Sequence, residues 1–294
     1  MSERLAVITG ANRGIGRATA AGLARAGFET VLWCRTPEQA EAAVVDLEER
    51  SRLDRFSPMA GDLADPDAIR DGVGRLRARY QQIHLLVNNA GVVANEYREA
   101  PDGHELTLAV NHLAPVRLTL GLLPSLLVSR GARIVTLASA AHDKAFDPSR
   151  LKGPAGFRGR KAYTQSKLLN FLFTFDLAER LEGSGVSANV VHPGVVSTGL
   201  LQDFVGGGAL GAPVRALMGT VGSSPDKGAR TTLRVATDPI LTGVTGRYFR
   251  GRQEATPPDA ALDREARDQA RRWTAELTGL DWAEVVSRTL DAPR

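Results

Sequence analysis

Residues 4–16 read RLAVITGANRGIG, an aliphatic, β-branched run that passes directly into a turn holding Gly10, Gly14 and Gly16. The run has the composition of a strand, and the residues from Ile15 onward carry apolar side chains at helical spacing, so the stretch predicts strand, turn and helix in succession. Glycine has no Cβ to keep a ligand off the backbone, and a helix N-terminus offers free N–H groups and the positive end of its dipole. In this context the turn predicts a seat for a dinucleotide pyrophosphate, with an α/β sheet built outward from the first strand.

The rest of the chain repeats that alternation. Strands are expected at Arg4–Thr9, Glu29–Arg35, Phe56–Ala60, Ile83–Asn88, Ala132–Ala138, Ser187–Val191 and Arg247–Phe249. Helices are expected at Ile15–Ala26, Pro37–Leu53, Pro66–Tyr80, Gly103–Ser129, Lys161–Glu182, Asp226–Ala236 and Asp259–Leu277. Short apolar runs separated by longer amphipathic ones predict a doubly wound parallel sheet with helices on both faces, a single-domain Rossmann fold. Residues 1–251 form the nucleotide-binding domain and 252–294 a C-terminal helical extension of it. Two stretches interrupt the period. Ala141–Arg160, with Pro148 and Pro154, reads as an inserted surface loop. Residues 195–224 are glycine-rich yet carry Leu200, Leu201, Phe204, Val205 and Leu210, the composition of a substrate lid rather than of a solvated linker.

Composition narrows the function. Hydrophobic residues make up 43% and charged residues 24% of 294 positions, the balance of an ordinary globular chain. The pI is about 9.5, but the net charge is only +4 and the basic residues are dispersed, mostly arginine, which predicts no nucleic-acid partner. A single cysteine, Cys34, excludes an internal disulfide, and the chain enters its first strand without a basic-then-apolar leader, so a cytoplasmic location is expected. No uninterrupted apolar stretch reaches the roughly 18 residues of a membrane span. The histidines are scattered and no cysteines are paired, so no metal site is expected.

An acidic residue ending strand two would bind an adenosine ribose and repel a 2′-phosphate. Here Cys34 and Arg35 occupy that place. Arg35, with Arg13 in the glycine turn, is suited to a 2′-phosphate by charge-assisted hydrogen bonds, which predicts NADP(H). Asp62 and Leu63, after strand three, are expected near the adenine amine, although Asp62 reads equally well as a turn cap. Asn88, Asn89, Ala90 and Gly91 end strand four, where small residues let a flat ring pass.

Tyr163 and Lys167 are four residues apart on an expected helix and therefore share a face. A free tyrosine titrates near 10, and a neighbouring ammonium together with an oxidised nicotinamide ring lowers that value toward the working range. Alone, such a pair is common. In order with the glycine turn, Asn88–Gly91, Asn111, Ser139, and His192, Pro193 and Gly194 after strand six, it resembles the short-chain dehydrogenase/reductase family over essentially the whole chain.

The resemblance implies that Ser139 hydrogen-bonds the substrate oxygen, Tyr163 exchanges the proton, Lys167 binds the nicotinamide ribose and Asn111 anchors a water chain. It implies a cofactor set of Gly10, Arg13, Gly14, Ile15, Gly16, Arg35, Asp62, Leu63, Asn89, Ala90, Gly91, Tyr163, Lys167, Pro193, Gly194, Val196 and Thr198. Ser139 and Tyr163 stand 24 positions apart, wider than in many relatives because of the Ala141–Arg160 insertion. That insertion, Val110–Leu113, Ser139–His142, Gly246–Phe249 and the segment from Arg272 to Leu280 are similar to the retinol-dehydrogenase-like branch, which implies lipophilic carbonyl and alcohol substrates. His142 and His192 duplicate no needed role and read as structural. The expected activity is NADPH-dependent reduction of a ketone or aldehyde to the alcohol, by a homodimer or a monomer. Two alternatives keep the fold: oxidation of an alcohol with NAD(P)⁺, and an inactive cofactor-binding sensor or scaffold.

Overall fold

The apolar runs assemble into one sheet. The computed structural model describes residues 4–151, 153–194 and 224–292. Eight strands, β1 Arg4–Thr9, β2 Phe28–Cys34, β3 Phe56–Ala60, β4 Leu85–Asn88, β5 Arg133–Leu137, β6 Ser187–His192, β7 Tyr248–Arg250 and β8 Gln253–Glu254, lie in the order β3-β2-β1-β4-β5-β6-β7-β8. β1 to β7 are parallel, and β8 turns back antiparallel on β7. The strand order reverses between β1 and β4, which opens a crevice at their carboxyl ends. The central strands are apolar throughout because helices cover both faces; every residue of β4 is buried.

Among the described residues the α-helices are α1 Gly14–Arg25, α2 Pro37–Ser51, α3 Pro66–Arg79, α4 Leu106–Leu108, α5 Ala114–Leu127, α6 Gly159–Arg180, α7 Pro225–Thr237, α8 Asp259–Leu262, α9 Arg264–Thr278 and α10 Trp282–Asp291. Leu23, Ala40, Leu47 and Val235 put α1, α2 and α7 on one face. Leu76, Leu122 and Phe173 put α3, α5 and α6 on the other. Thr36, Asp65, Ser224, Asp263 and Asp281 each accept a first-turn backbone N–H, closing the starts of α2, α3, α7, α9 and α10. α1 differs: Arg13, which precedes it, provides no side-chain cap, and its first turn holds no acidic residue. Its first residues, Gly14, Ile15 and Gly16, line the crevice.

Several expectations from sequence shift. The helix expected from Gly103 starts at Leu106, because Gly103 sits at φ 80° in a turn and the buried Glu105 caps Thr107 and Leu108 N–H, each at 2.8 Å. Between α4 and α5 the helix widens into a π turn, Ala109–Leu113, which periodicity does not reveal. Strand four begins two residues late because Ile83 N–H bonds Ser125 O of α5 at 3.0 Å. The charged C-terminal helix breaks at Asp263, whose ψ of 117° ends α8 while its carboxylate caps α9. Strand β8 and helix α10 were not foreseen. The expected lid, residues 195–224, lies outside the described residues except for Ser224.

α6 explains the need for the C-terminal extension. Every residue from Ala162 to Ala178 is buried, on both sides of the helix. The sheet covers the inner side, and α8 to α10 cover the outer one: Leu168, Leu169 and Leu172 pack with Ala270, and Phe173 packs edge-on to Trp282 at 5.0 Å. Trp282 Nε1 donates to Asp176 at 2.5 Å, and Arg180 neutralises the same carboxylate at 2.6 Å. Among the described residues, the 22-residue stretch Leu106–Leu127 is the one long and apolar enough to cross a membrane, and 83% of its most apolar window is buried in the fold.

Candidate active site

The glycine turn is built as its sequence requires. Gly10 and Gly14 adopt φ of 67° and 56°, conformations that strain any L side chain. A Cβ on Gly16 would stand 2.1 Å from Gly10 O, so α1 could not close against the turn with any other residue there. Thr9 Oγ1 accepts the N–H groups of Asn89 and Ala90, each at 3.0 Å, and Asn89 Nδ2 donates to Thr9 O at 2.7 Å. The end of β4 is thus bonded to the turn that follows β1.

These elements wall a cavity of about 590 Å³. Gly10, Arg13, Gly14, Ile15, Gly16, Arg35, Asp62, Leu63, Asn89, Ala90 and Gly91, all expected from sequence, line it. Arg13 and Arg35 are exposed and have no ion-pair partner among the described residues, whereas Arg17 is engaged by Asp46 at 3.1 Å. Asp62 lines the cavity and also accepts Ala64 N–H at 2.9 Å, the turn cap that its sequence allowed. An uncapped helix start, a cradle with no room for Cβ atoms and two unpaired guanidinium groups fit a dinucleotide carrying an extra phosphate.

Sequence reasoning missed part of this wall. Trp33, Gln39, Val92, Leu106 and Val110 also line the cavity. Cys34 does more than leave out an acidic residue: burial pushes its thiol up to about 11, and the backbone of Ala11 and Asn12 hydrogen-bonds to it. β2 therefore supports the glycine turn directly.

The catalytic candidates converge at the ends of β4 and β5. Ser139 lies just beyond β5; its Oγ accepts Ala141 N–H at 3.0 Å and is hydrogen-bonded to the Tyr163 phenol. Tyr163 is only 7% exposed. Lys167, one helical turn on, places Nζ 5.6 Å from the Tyr163 ring centroid and donates to Leu137 O at 3.0 Å. Asn111 sits in the π turn, where its Oδ1 accepts Val92 N–H at 2.8 Å and its Nδ2 donates to Val92 O at 2.9 Å and Ser166 Oγ at 3.0 Å. Gly91 joins the two halves: a Cβ there would lie 3.4 Å from Asn111 Oδ1 and 3.6 Å from Lys167 Nζ. Pro193 and Gly194 follow β6, and Val196 and Thr198 lie outside the described residues.

Burial governs the electrostatics. Lys167 is pushed down to about 8 by desolvation alone. Tyr163 is raised above its ordinary value by burial, against a lowering hydrogen bond from Ser139. The depression expected from Lys167 is therefore not produced by the protein by itself, and the phenol holds its proton at neutral pH. His192 is buried and pushed down to about 4, chiefly by desolvation, with Arg250 and His142 adding to it. It is a neutral imidazole. His142 packs edge-on to Phe171 at 5.3 Å. The insertion before Tyr163 is more than a surface loop: Gln165 of α6 donates to Asp143 at 2.6 Å and Ala145 O at 2.9 Å, and it accepts Asp147 N–H at 3.0 Å.

Comparison with known proteins agrees with this geometry. A family model described as short chain dehydrogenase matches residues 4–206. Retinol dehydrogenase 12 of Mus musculus is 35% identical over 283 residues, which is 95% of this chain and 87% of that protein. Polyprenol dehydrogenase of the same species is 38% identical over 281 residues, 93% and 83% of the two chains. A crystal structure of a Mycobacterium paratuberculosis protein superposes with a TM-score of 0.74 at 29% identity, covering 95% of this chain and 94% of that one. A short chain dehydrogenase from Burkholderia cenocepacia, solved with NADP, gives a TM-score of 0.65 at 28% identity over 84% of this chain and 95% of that one. With turn, crevice and side-chain constellation in place, the chain belongs to the short-chain dehydrogenase family, in its retinol-dehydrogenase-like branch, and is an oxidoreductase acting on the CH–OH/C=O pair.

Proposed function

We propose that this oxidoreductase uses NADP(H) and reduces the ketone or aldehyde of a lipophilic small molecule, with Tyr163 as the acid. The observation that carries the reading is a buried Tyr163 bonded to Ser139 beside Lys167, joined through Gly91 to a cavity whose lining includes Arg13 and Arg35, which have no ion-pair partner among the described residues. When bound, the cofactor supplies or accepts the hydride. Gly10, Gly14, Gly16 and the start of α1 would hold its pyrophosphate, Arg13 and Arg35 its 2′-phosphate, and Lys167 its nicotinamide ribose.

The Ser139 and Tyr163 hydroxyls donate to the substrate carbonyl oxygen and polarise it. As alkoxide character develops, the Tyr163 proton passes to that oxygen, and the Lys167 ammonium stabilises the phenolate left behind. A phenol that keeps its proton at neutral pH can serve as the acid of the reduction, while the net direction follows the cofactor ratio and the substrate. An intact set of Asn111, Ser139, Tyr163 and Lys167 speaks against a scaffold without chemistry. The relatives named for retinol and polyprenol support a bulky apolar substrate. Enclosure of α6 by α8 to α10 leaves that helix no free face for a second copy, which supports a monomer.

Consumption of NADPH with a panel of lipophilic ketones and aldehydes, monitored for the parent and for Tyr163→Phe, tests the reading. The variant should bind NADPH with parental affinity and lose turnover. Parental turnover by Tyr163→Phe would rule the mechanism out.

A further inference from the structure

Helix α9, in the C-terminal extension, touches the π turn, the segment before α4, the insertion before Tyr163 and α6. Thr274 Oγ1 lies 3.0 Å from His112 Nε2, and both residues are fully buried. One turn later, Leu277 O lies 3.0 Å from His104 Nε2, ahead of the capped start of α4. Trp273 packs against Phe146 of the insertion before Tyr163, with ring centroids 5.3 Å apart. Arg267 pairs with Glu179 of α6 at 2.8 Å.

His112 immediately follows Asn111 in the π turn. A π turn is a poor conformation for an isolated helix and persists where its surroundings over-determine it. Two anchors hold this one. On the side of the cavity, Asn111 bonds both backbone groups of Val92 and Ser166 Oγ, and Ser166 Oγ in turn donates to Tyr163 O at 2.8 Å. Toward the extension, His112 is bonded to Thr274, and its ring lies edge-on to Phe173 at 6.3 Å. Burial, partly offset by the Asn170 side chain, pushes His112 down to about 3, so its imidazole stays neutral. If the second anchor were lost, relaxation to α geometry would take up one residue and turn Asn111 by about 100° around the helix axis, away from Val92 and Ser166.

We propose that Thr274, acting through His112, is a positioning residue that holds the π turn and thereby sets Asn111 against Tyr163 and Lys167. The C-terminal helix is thus part of the catalytic apparatus rather than a lid on the core. This rests on the proposed roles of Asn111, Tyr163 and Lys167.

The test compares Thr274→Val, close in shape but without the hydroxyl, with Thr274→Ser, which keeps it. Thr278→Val serves as control, because among the described residues Thr278 Oγ1 bonds only Thr274 O, Leu280 O and Leu280 N at the end of α9 itself. Expected for Thr274→Val is a fall in kcat of about tenfold, equivalent to about 1.4 kcal/mol of barrier. NADPH affinity by fluorescence titration should stay within about twofold, and the kcat–pH profile should be displaced as the surroundings of Lys167 change. Thr274→Ser should restore both, and Thr278→Val should lower Tm with parental kcat. The proposal is overturned if Thr274→Val keeps the parental kcat and pH profile, or if Thr278→Val loses as much activity as Thr274→Val. If the parent is active and Tyr163→Phe inert while Thr274→Val is unchanged, only this inference fails. A parent inert toward every carbonyl overturns the proposed function and this inference together.

Discussion

The two ends of the site are built on different principles. At the outer end, the cavity lined by the glycine turn, Arg13 and Arg35 presents backbone and exposed charge from the first 35 residues. At the inner end, past Gly91, Tyr163, Lys167 and Asn111 are buried and stand on α6, on a π turn and, through Thr274 and Trp282, on the last helices of the chain. A ligand seat made of backbone can be local. A proton-transfer site needs dry surroundings, and those come only from segments distant in sequence.

The difference can be broken most sharply at Tyr163. Tyr163→Phe should cost roughly 10²- to 10⁴-fold in kcat while the outer end continues to bind NADPH, as steady-state kinetics and titration would show together. Loss of cofactor affinity by the same factor would mean that the two ends are not separable.

Next in size is Trp282→Ala, remote from the cavity. It removes a wholly buried indole and leaves Asp176 with Arg180 alone, so it should destabilise the fold by about 3–5 kcal/mol in urea denaturation. Cofactor binding by the molecules that remain folded should be unchanged.

Lys167 sharpens the comparison through pH. Unfolded, it titrates near 10.5; folded and without cofactor, at about 8. Above the first value the group is neutral in both states, and below the second the fold must carry a charge in a dry site. Its contribution therefore makes stability rise as pH climbs between the two values. Lys167→Met should abolish that slope and gain about 3 kcal/mol of stability at pH 7 while losing activity. Leu137 O, which Lys167 vacates, keeps Asn170 Nδ2 at 3.5 Å. Equal slopes in parent and variant would refute the burial argument.

Arg35→Asp should give the smallest effect, because the group is exposed and water competes for it. A charge-assisted bond of about 1.5–3 kcal/mol corresponds to a shift of roughly 10- to 100-fold in kcat/KM preference from NADPH toward NADH. An unchanged ratio would remove the 2′-phosphate assignment and leave the inner end untouched.

Much of this was legible beforehand. Strand, glycine turn and helix are written in consecutive residues, and the spacing of Tyr163 and Lys167 places them on one face. The π turn was not legible, because Ala109–Leu113 has ordinary helical composition and the widening is enforced by Val92, Ser166 and Thr274 from elsewhere. Helix α10 was not legible either, since its value lies in Trp282 reaching Asp176 on α6. The supposed depression of the Tyr163 pKa was argued from charge alone; burial, which spacing cannot report, acts in the opposite direction.

By itself the sequence determined the parallel sheet, the glycine turn and the shared helix face of Tyr163 and Lys167, because each depends on backbone geometry or helical spacing within a few residues. Tertiary structure alone decided that Asn111 faces Val92 and Ser166, that Lys167 is dry, and that α9 and α10 enclose α6. Desolvation and side-chain register are properties of what packs around a residue, and here the packing partners range from 19 positions away, for Asn111 and Val92, to more than 100, for His112 and Thr274 and for Asp176 and Trp282.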